Sequence, residues 1–282
     1  MHIRIITDSA ADFTRQELDA HGIICVPMTI TIGEDTYIDG VTLSADTFWQ
    51  RLIAGDAAKT SQPSPDAFLS VFEEARDAGD AVLCVLLSSS LSGTLQSAVI
   101  ARSMIDYEPI YIVDSLTAAV AQKMLVLRAC HLRDEGALTA GQIAAELEAF
   151  RSRIKLYASL DTLAYLARGG RIPKAAASLG TLVQLKPLIT VGPDGLVEMA
   201  GKAVGRHRAT EALIKLIASH AIDPAYPVLP VYTHDPDNCH AFVKKLNQAG
   251  IACHAEDATA IGSTISTHVG PGAYGLVFVQ AQ

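Results

Sequence analysis

The chain has 282 residues, of which 50% are hydrophobic and 18% are charged, and its formal net charge at pH 7 is −8. This length accommodates two domains with separate cores, and the composition is that of a folded globular protein, which excludes a disordered or fibrous chain. The negative net charge argues against a broad nucleic-acid interface, because neutralising phosphates requires clustered Lys and Arg side chains.

The amino-terminal residues predict a β-strand and not a targeting segment. Residues 1–6 form a strand-like run that leads directly to Asp8, with no basic stretch ahead of a long apolar core. The longest apolar runs, such as 81–87, are too short to span a bilayer. The five cysteines contain no CxxC pair, which is typical of free thiols in a reducing compartment. We therefore expect a cytoplasmic protein without a signal peptide or a membrane span.

The first half of the chain alternates short β-rich runs with helical stretches. In chain order, strands are predicted at 3–6, 23–32, 81–87 and 110–113, and helices at 14–21, 44–52, from 65 onward, 95–105, 118–133 and 140–150. The helix at 95–105 is expected to turn Leu95, Val99, Ile100 and Ile105 toward the core. This alternation predicts a mainly parallel sheet that is flanked by helices.

The second half is less regular and contains a hairpin signature. Two apolar runs at 188–191 and 196–199 flank the turn sequence Gly-Pro-Asp-Gly. Further strands are predicted at 156–160, 228–232, near Ile251 and near Leu276, with helices ending at Gly169, at Ser219 and at Gln248. We therefore predict a two-domain α/β fold: an N-terminal domain over 1–154 with a mainly parallel sheet, and a C-terminal α/β sandwich with a mixed sheet over 155–282.

The most informative segment is the serine-rich turn, which we define as residues 88–94, Ser-Ser-Ser-Leu-Ser-Gly-Thr. It joins a buried strand to a helix, so it lies at the carboxyl end of the strand, where open α/β sheets bind ligands. Hydroxyls of Ser92 and Thr94 and the backbone N–H groups near Gly93 form a small group of donors that suits an anion. Helix capping is the simpler alternative, but it does not require so many hydroxyls.

Three other segments carry similar polar residues. They are Thr7-Asp8-Ser9, Thr60-Ser61-Gln62 and Asp114-Ser115. Each would pass for a capping loop if it stood alone. If their strands are parallel neighbours, all three segments line the same crevice as the serine-rich turn.

Catalytic and metal-binding alternatives have weaker signatures. A serine hydrolase or acyl transferase could use Ser92 or Ser90 as nucleophile and His268 as base, but the GxSxG motif typical of such folds is absent. His268 could equally donate a hydrogen bond to a bound anion. No GKS or GKT sequence follows the glycines, so a P-loop is not predicted. The Cys-His pairs at 239–240 and 253–254 match no common zinc spacing, and no metal is expected.

Two arginines flank a pair of glycines in Arg168-Gly169-Gly170-Arg171. Arginines at the carboxyl end of a helix interact favourably with its dipole, which would give them a purely structural role. Alternatively, an exposed Arg171 could bind a phosphate or an acidic partner. The sequence pattern leaves both roles open.

These motifs, taken in order, resemble the DegV family of bacterial fatty acid-binding proteins. The resemblance runs along nearly the whole chain and includes Thr7-Asp8-Ser9, Thr60-Ser61-Gln62-Pro63, Ser89 to Thr94, Val113-Asp114-Ser115, Asp161-Thr162-Leu163, Gly169-Gly170-Arg171-Ile172, Lys186-Pro187-Leu188 and His268-Val269-Gly270-Pro271-Gly272. Each motif is weak alone, whereas the series in this order is specific.

The resemblance implies a long-chain fatty acid in a buried tunnel. Thr60 and Ser92 would hydrogen-bond its carboxylate, the backbone of Gly93 and Thr94 would assist, and His268 would lie close by. The residues expected at the pocket rim or in contact with a partner are Arg171, Ser61, Ser90, Asp114 and Ser115. The serine-rich turn belongs to the first predicted domain, and the loops with Arg171 and His268 belong to the second.

The resemblance also implies a carrier and not an enzyme. Family members present the carboxylate to a fatty acid kinase subunit for phosphorylation toward phospholipid synthesis, and the carrier needs no cofactor. Transient membrane contact is compatible with this role, and nucleic acid is not an expected partner. One departure concerns the kinase: Val204 stands where the family usually has an arginine, while Arg206 and Arg208 follow two and four positions later.

Overall fold

The computed structural model describes residues 1–173 and 184–282. The chain divides into two compact units, which are Met1–Ser44 with Ala57–Ser152 and Ala45–Asp56 with Arg153–Gln282. The second unit begins at Arg153, two residues before the predicted start at 155, and it also includes the segment Ala45–Asp56. Its helix α2 (Ala45–Ile53) buries Phe48 and Leu52, and the ring of Trp49 lies 5.1 Å from that of His234, so it belongs to the second unit.

The first unit contains a four-stranded parallel sheet of order β2-β1-β6-β7. Its strands are β1 (Ile3–Asp8), β2 (Ile23–Val26), β6 (Ala81–Leu86) and β7 (Ile110–Asp114). A separate antiparallel sheet of order β4-β3-β5 consists of β3 (Thr29–Ile32), β4 (Asp35–Ile38) and β5 (Ala58–Ser61). The helices are α1 (Arg15–His21), α3 (Pro65–Ala78), α4 (Thr94–Met104), α5 (Ala119–Glu135) and α6 (Ala140–Phe150).

Local sequence accounts for several of these boundaries. Thr14 and Glu17 form a capping box at the start of α1, and the hydroxyl of Ser64 accepts the N–H of Ala67 at the start of α3. Every residue of β6 is buried, as expected for a central strand covered on both faces. The predicted α/β class and parallel sheet are therefore confirmed for this unit.

The buried face of α4 differs from the prediction. The helix buries Thr94, Ser97, Ala98 and Ala101. Of the four apolar residues predicted to face the core, Ile105 is buried, Leu95 and Val99 are half-buried, and Ile100 is 40% exposed. Small side chains allow α4 to approach α3 and the sheet closely, and this close packing takes precedence over burial of the larger apolar residues.

The second unit contains a six-stranded mixed sheet of order β10-β9-β8-β13-β11-β12. Its strands are β8 (Ile154–Ser159), β9 (Leu185–Val191), β10 (Val197–Val204), β11 (Leu229–Tyr232), β12 (Thr259–Ala260) and β13 (Tyr274–Val279). Its described helices beyond α2 are α7 (Ala164–Arg168), α8 (Arg206–Ala218), α9 (Asp237–Gln248) and α10 (Ser263–Val269). The predicted hairpin is present as β9 and β10, and β11 with β12 is parallel, which confirms the mixed sheet.

The strand predicted near Ile251 is absent from the described structure, and the edge strand β12 forms later, at Thr259–Ala260. The N–H of Ile251 donates to the carbonyl of Leu246, and the side chain of Asn247 bonds both backbone groups of Cys253. The end of α9 thus provides hydrogen bonds for backbone groups of Ile251 and Cys253 that neighbouring strands would pair if this segment were a strand.

The five cysteines are free thiols, and four of them are buried. Burial raises the pKa of the Cys253 thiol to about 11, so it stays protonated near neutral pH. Among the described helices, none combines the length and the apolar character that crossing a membrane requires.

Candidate functional site

The serine-rich turn leaves the carboxyl end of β6 and enters α4 within the first unit. Ser88 is buried and its N–H donates to the carbonyl of Thr117 at 3.0 Å. The N–H groups of Leu91 and Ser92 both donate to the carbonyl of Ser88, which closes a compact turn. The turn is therefore a defined structure and not an extended loop.

Two carboxylates hold the beginning of this turn. Asp8 at the end of β1 accepts the N–H of Leu87 at 2.7 Å. Asp114 at the end of β7 accepts the N–H of Ser89 at 3.2 Å and its hydroxyl at 2.5 Å. Since β1 and β7 flank β6 in the parallel sheet, the expected convergence of these strand ends is confirmed.

Asp8 is fully buried, and burial raises its pKa to about 6. Hydrogen bonds from the N–H groups of Leu87 and Ala10 and from the Gln122 side chain lower this pKa, but by less than burial raises it. The Gln122 amide donates to both Asp8 Oδ2 and Thr7 Oγ1 at 3.2 Å. Asp8 is therefore shielded from solvent, and it holds the start of the turn through its hydrogen bond with Leu87.

The loop after β7 supports the turn from the other side. Ser115 is buried and its hydroxyl donates to the carbonyl of Thr117, the same carbonyl that accepts Ser88. Leu116 and Ala119 adopt positive φ angles of 49° and 57°, which costs non-glycine residues about 1 kcal/mol or more each. Ser115 thus has a supporting position in this loop and does not lie on an exposed rim.

Two hydroxyls meet at the end of the turn. Ser92 Oγ lies 2.9 Å from Thr94 Oγ1, and Thr94 N–H donates to Ser92 Oγ at 3.3 Å. Ser92 is half-buried and Thr94 is buried. Gly93 is the N-cap residue of α4 and has no side chain with which to cap the first turn. Hydroxyls beside the positive end of a helix suit an oxygen anion.

Thr60 and Ser61 lie in a different sheet from the one predicted. Their strand β5 pairs with β3 in the antiparallel sheet and is not a neighbour in the parallel sheet. The segment is nevertheless connected to α4, because Gln62 Nε2 donates to the hydroxyl of Ser97 at 2.9 Å. A Cβ atom on Gly93 would lie only 2.7 Å from Cδ of Gln62. Sequence reasoning included Gln62 only as part of a polar segment and gave it no role.

Of the other predicted rim residues of the first unit, Ser61 and Ser90 are exposed and Asp114 is half-buried. Ser61 pairs in register with Thr29 at the end of β5. The N–H of Ser90 donates to the hydroxyl of Ser88 at 3.3 Å. Asp114 differs from both, because its carboxylate is engaged by Ser89 within the turn. Exposure makes Ser61 and Ser90 available to a ligand or a partner.

His268 and Arg171 lie in the second unit: His268 is on α10, Arg171 follows α7, and these two helices pack against each other. A Cβ atom on Gly169, at the end of α7, would lie 2.8 Å from the imidazole Cε1 of His268. A Cβ atom on Gly270 would lie 2.5 Å from Cε2 of Tyr165. Gly169 and Gly270 therefore leave room for the contact between α7 and the segment that contains α10 and Gly270.

The imidazole of His268 is largely buried, and burial together with the charge of Arg171 lowers its pKa to about 4. It is therefore neutral near pH 7. Arg171 Nη1 donates to the carbonyl of Gly169 at 2.6 Å, and burial also lowers the pKa of this guanidinium. The pair offers a neutral imidazole beside a cation.

A second cluster of charges surrounds Asp161, which lies between β8 and α7. Asp161 accepts Lys186 Nζ at 2.5 Å and lies 3.5 Å from Arg206 Nη2. Val204 is 52% exposed at the end of β10. Arg206 therefore begins α8 in an ion pair. Across residues 1–173 and 184–282, no grouping of His, Cys, Asp and Glu side chains could hold a metal ion.

Comparison with known proteins agrees with the motif series. The model of the DegV family, described as "Uncharacterised protein, DegV family", matches residues 2–281. A DegV domain-containing protein of Caldanaerobacter subterraneus subsp. tengcongensis is 32% identical over 276 residues, which cover 98% of each chain.

Solved structures show the same fold. The Thermus thermophilus structure titled "Fatty Acid Binding of a DegV family Protein" has a TM-score of 0.87 and 33% identity over all of both chains. Bacillus subtilis DegV, described as a fatty acid binding protein, has a TM-score of 0.83 and 28% identity over all of both chains. On the extent of these matches, the chain belongs to the DegV family.

Proposed function

We propose that this protein binds a long-chain fatty acid and holds its carboxylate at the end of the serine-rich turn. The observation that carries the proposal is the pair of hydroxyls of Ser92 and Thr94, 2.9 Å apart at the first turn of α4. Relatives similar over their whole length are described as fatty acid-binding, which supports the same ligand class here.

The proposed contacts follow from the hydrogen-bonding capacity of a carboxylate, which only accepts. Ser92 and Thr60 supply hydroxyl donors, and the backbone N–H groups of Gly93 and Thr94 supply the positive end of α4. Charge-assisted hydrogen bonds contribute about 1.5–3 kcal/mol each, which favours an acid over an ester or an alcohol. This part of the site therefore selects the head group.

The acyl tail supplies most of the affinity in this proposal. Burying about 16 carbons at roughly 0.8 kcal/mol per methylene gives an upper limit of about 12 kcal/mol before the cost of association. A buried apolar tunnel is the environment in which the acyl chain would make this contribution to the binding free energy. The head group then determines selectivity more than total affinity.

His268 and Arg171 are proposed to serve the same ligand class. The neutral imidazole of His268 is suited to donate a hydrogen bond to a carboxylate, and Arg171 provides a nearby positive charge. These two assignments rest on the family resemblance.

We also propose that the protein acts as a carrier that presents the carboxylate to a fatty acid kinase. The family resemblance supports this role, with the phosphorylated acid entering phospholipid synthesis. Arg171, Ser61 and Ser90 are the proposed partner contacts, while Asp114 and Ser115 support the rim from within. The protein itself would need no cofactor.

The experiment is identification of the ligand that co-purifies with the native protein. Denaturing the purified protein and analysing the extract by mass spectrometry is expected to show a long-chain fatty acid in near-stoichiometric amount. Another small amphiphile in that amount would contradict the proposal. An ester that the native protein hydrolyses, with the activity lost in His268→Ala, would instead support an enzyme using Ser92.

A further inference from the structure

Gln62 connects two parts of the first unit that carry proposed ligand contacts. Its side-chain Nε2 donates to the hydroxyl of Ser97, a buried residue on α4. The other side of the same amide lies against Gly93, where an added Cβ atom would be 2.7 Å from Cδ and 2.8 Å from Nε2 of Gln62. The amide thus lies beside the N-cap residue of α4 and is hydrogen-bonded to its first turn.

The backbone of Gly93 does not explain why this residue is a glycine. Its φ and ψ angles of −76° and 8° are open to other residues. What a side chain at this position would meet is the amide of Gln62. A side chain at this position would therefore displace the Gln62 amide, whereas the backbone conformation itself would accept another residue.

Gln62 and Gly93 stand beside the proposed carboxylate contacts. Gln62 follows Thr60 by two residues at the end of β5, and Gly93 directly follows Ser92. The two strands from which these segments emerge, β5 and β6, lie in different sheets, so no ladder of backbone hydrogen bonds fixes the distance between them. The packing of Gln62 against Gly93 instead provides a direct contact between the two segments.

We infer that Gln62 is a positioning residue that sets the spacing between the hydroxyls of Thr60 and Ser92. The inference rests on the proposed function, because it assumes that both hydroxyls bind one carboxylate. Binding constellations need their donors held to within about 0.5 Å, so a shift of this spacing weakens recognition of the head group more than burial of the tail.

The test is a double-mutant cycle on Gln62→Ala and Gly93→Ala, with delipidated protein titrated with palmitate and with hexadecanol. Gly93→Ala pushes the amide of Gln62 away and is expected to lower palmitate affinity about 30-fold, and Gln62→Ala about fivefold. The double variant is expected to bind palmitate as Gln62→Ala does, because the added methyl group then meets no amide.

Titration with the alcohol distinguishes a loss of carboxylate positioning from a general loss of protein stability. Hexadecanol shares the tail but lacks the carboxylate, so its affinity is expected to change less than about twofold in all three variants. Equal losses for palmitate and hexadecanol would overturn the inference, as would a double variant no better than Gly93→Ala.

A fourth variant keeps the inference testable if Gly93→Ala does not fold. Gln62→Glu has nearly the same shape but brings a negative charge beside the bound carboxylate, and it is expected to lower palmitate affinity at least about tenfold with hexadecanol unchanged. Unchanged palmitate affinity in Gln62→Glu and Gln62→Ala would overturn the inference while leaving the proposed function intact. A native protein that binds no palmitate would contradict the proposed function itself.

Discussion

The buried carboxylate of Asp8 accepts the backbone N–H of Leu87 at 2.7 Å, directly before the turn that carries Ser92. This bond links the ends of two neighbouring parallel strands, β1 and β6. A polar anchor of this kind holds the turn in place without occupying its solvent-facing donors. The arrangement has consequences for stability that depend on pH.

Asp8 should make the protein less stable as the pH rises through its pKa. Its pKa of about 6 in the folded state lies above the ordinary value of 3.8, so the folded state binds more protons between these values. Relative to Asp8→Asn, the native protein should therefore gain about 2–3 kcal/mol of unfolding free energy when the pH falls from about 7.5 to 4. Urea unfolding of both proteins across this range measures the difference. A difference that does not vary with pH would contradict burial of an ionised Asp8.

His268 should show the opposite pH dependence. Burial and the charge of Arg171 lower its pKa to about 4, so the unfolded chain binds a proton more readily than the folded chain. Its contribution to stability is complete above about pH 6.5 and is lost as the pH falls toward 4. His268→Gln, which cannot titrate, should lose less stability than the native protein over that range. Equal losses would show that the imidazole is solvated.

Gly270 should tolerate substitution less well than Gly250, although both have positive φ angles, 77° and 84°. A Cβ atom on Gly250 meets nothing within 4 Å, whereas one on Gly270 meets the ring of Tyr165. Gly250→Ala should cost about 1 kcal/mol, from the backbone alone, and Gly270→Ala at least about 2 kcal/mol more. Denaturant unfolding of the two variants gives this comparison, and similar costs would contradict the described packing of Gly270 against Tyr165.

Much of the fold follows from local patterns, and the site less so. The burial of β6, the cap at Ser64 and the hairpin of β9 and β10 are all predictable, because each depends on neighbouring residues in the sequence. The serine-rich turn is predictable for the same reason, since hydroxyls after a buried strand identify the carboxyl edge of a sheet.

The errors of prediction concern choices that are made by tertiary packing. The buried side of α4 is formed by small residues because α3 approaches closely, which the apolar pattern of Leu95, Val99 and Ile100 does not reveal. The role of α2 in the second unit is equally non-local. The role of Gln62 is not evident from the sequence, because its contact joins the end of a strand in one sheet to the turn that follows a strand in another.

The central claim is that Ser92 binds the carboxylate of a fatty acid, and calorimetric titration of delipidated protein with palmitate and methyl palmitate tests it most directly. Ser103 lies on the exposed side of the same helix and donates to the carbonyl of Ile100, so Ser103→Ala is a matched control. Ser92→Ala should bind palmitate about tenfold more weakly with methyl palmitate unaffected, while Ser103→Ala should match the native protein. Native affinity for palmitate in a folded Ser92→Ala variant would contradict the claim.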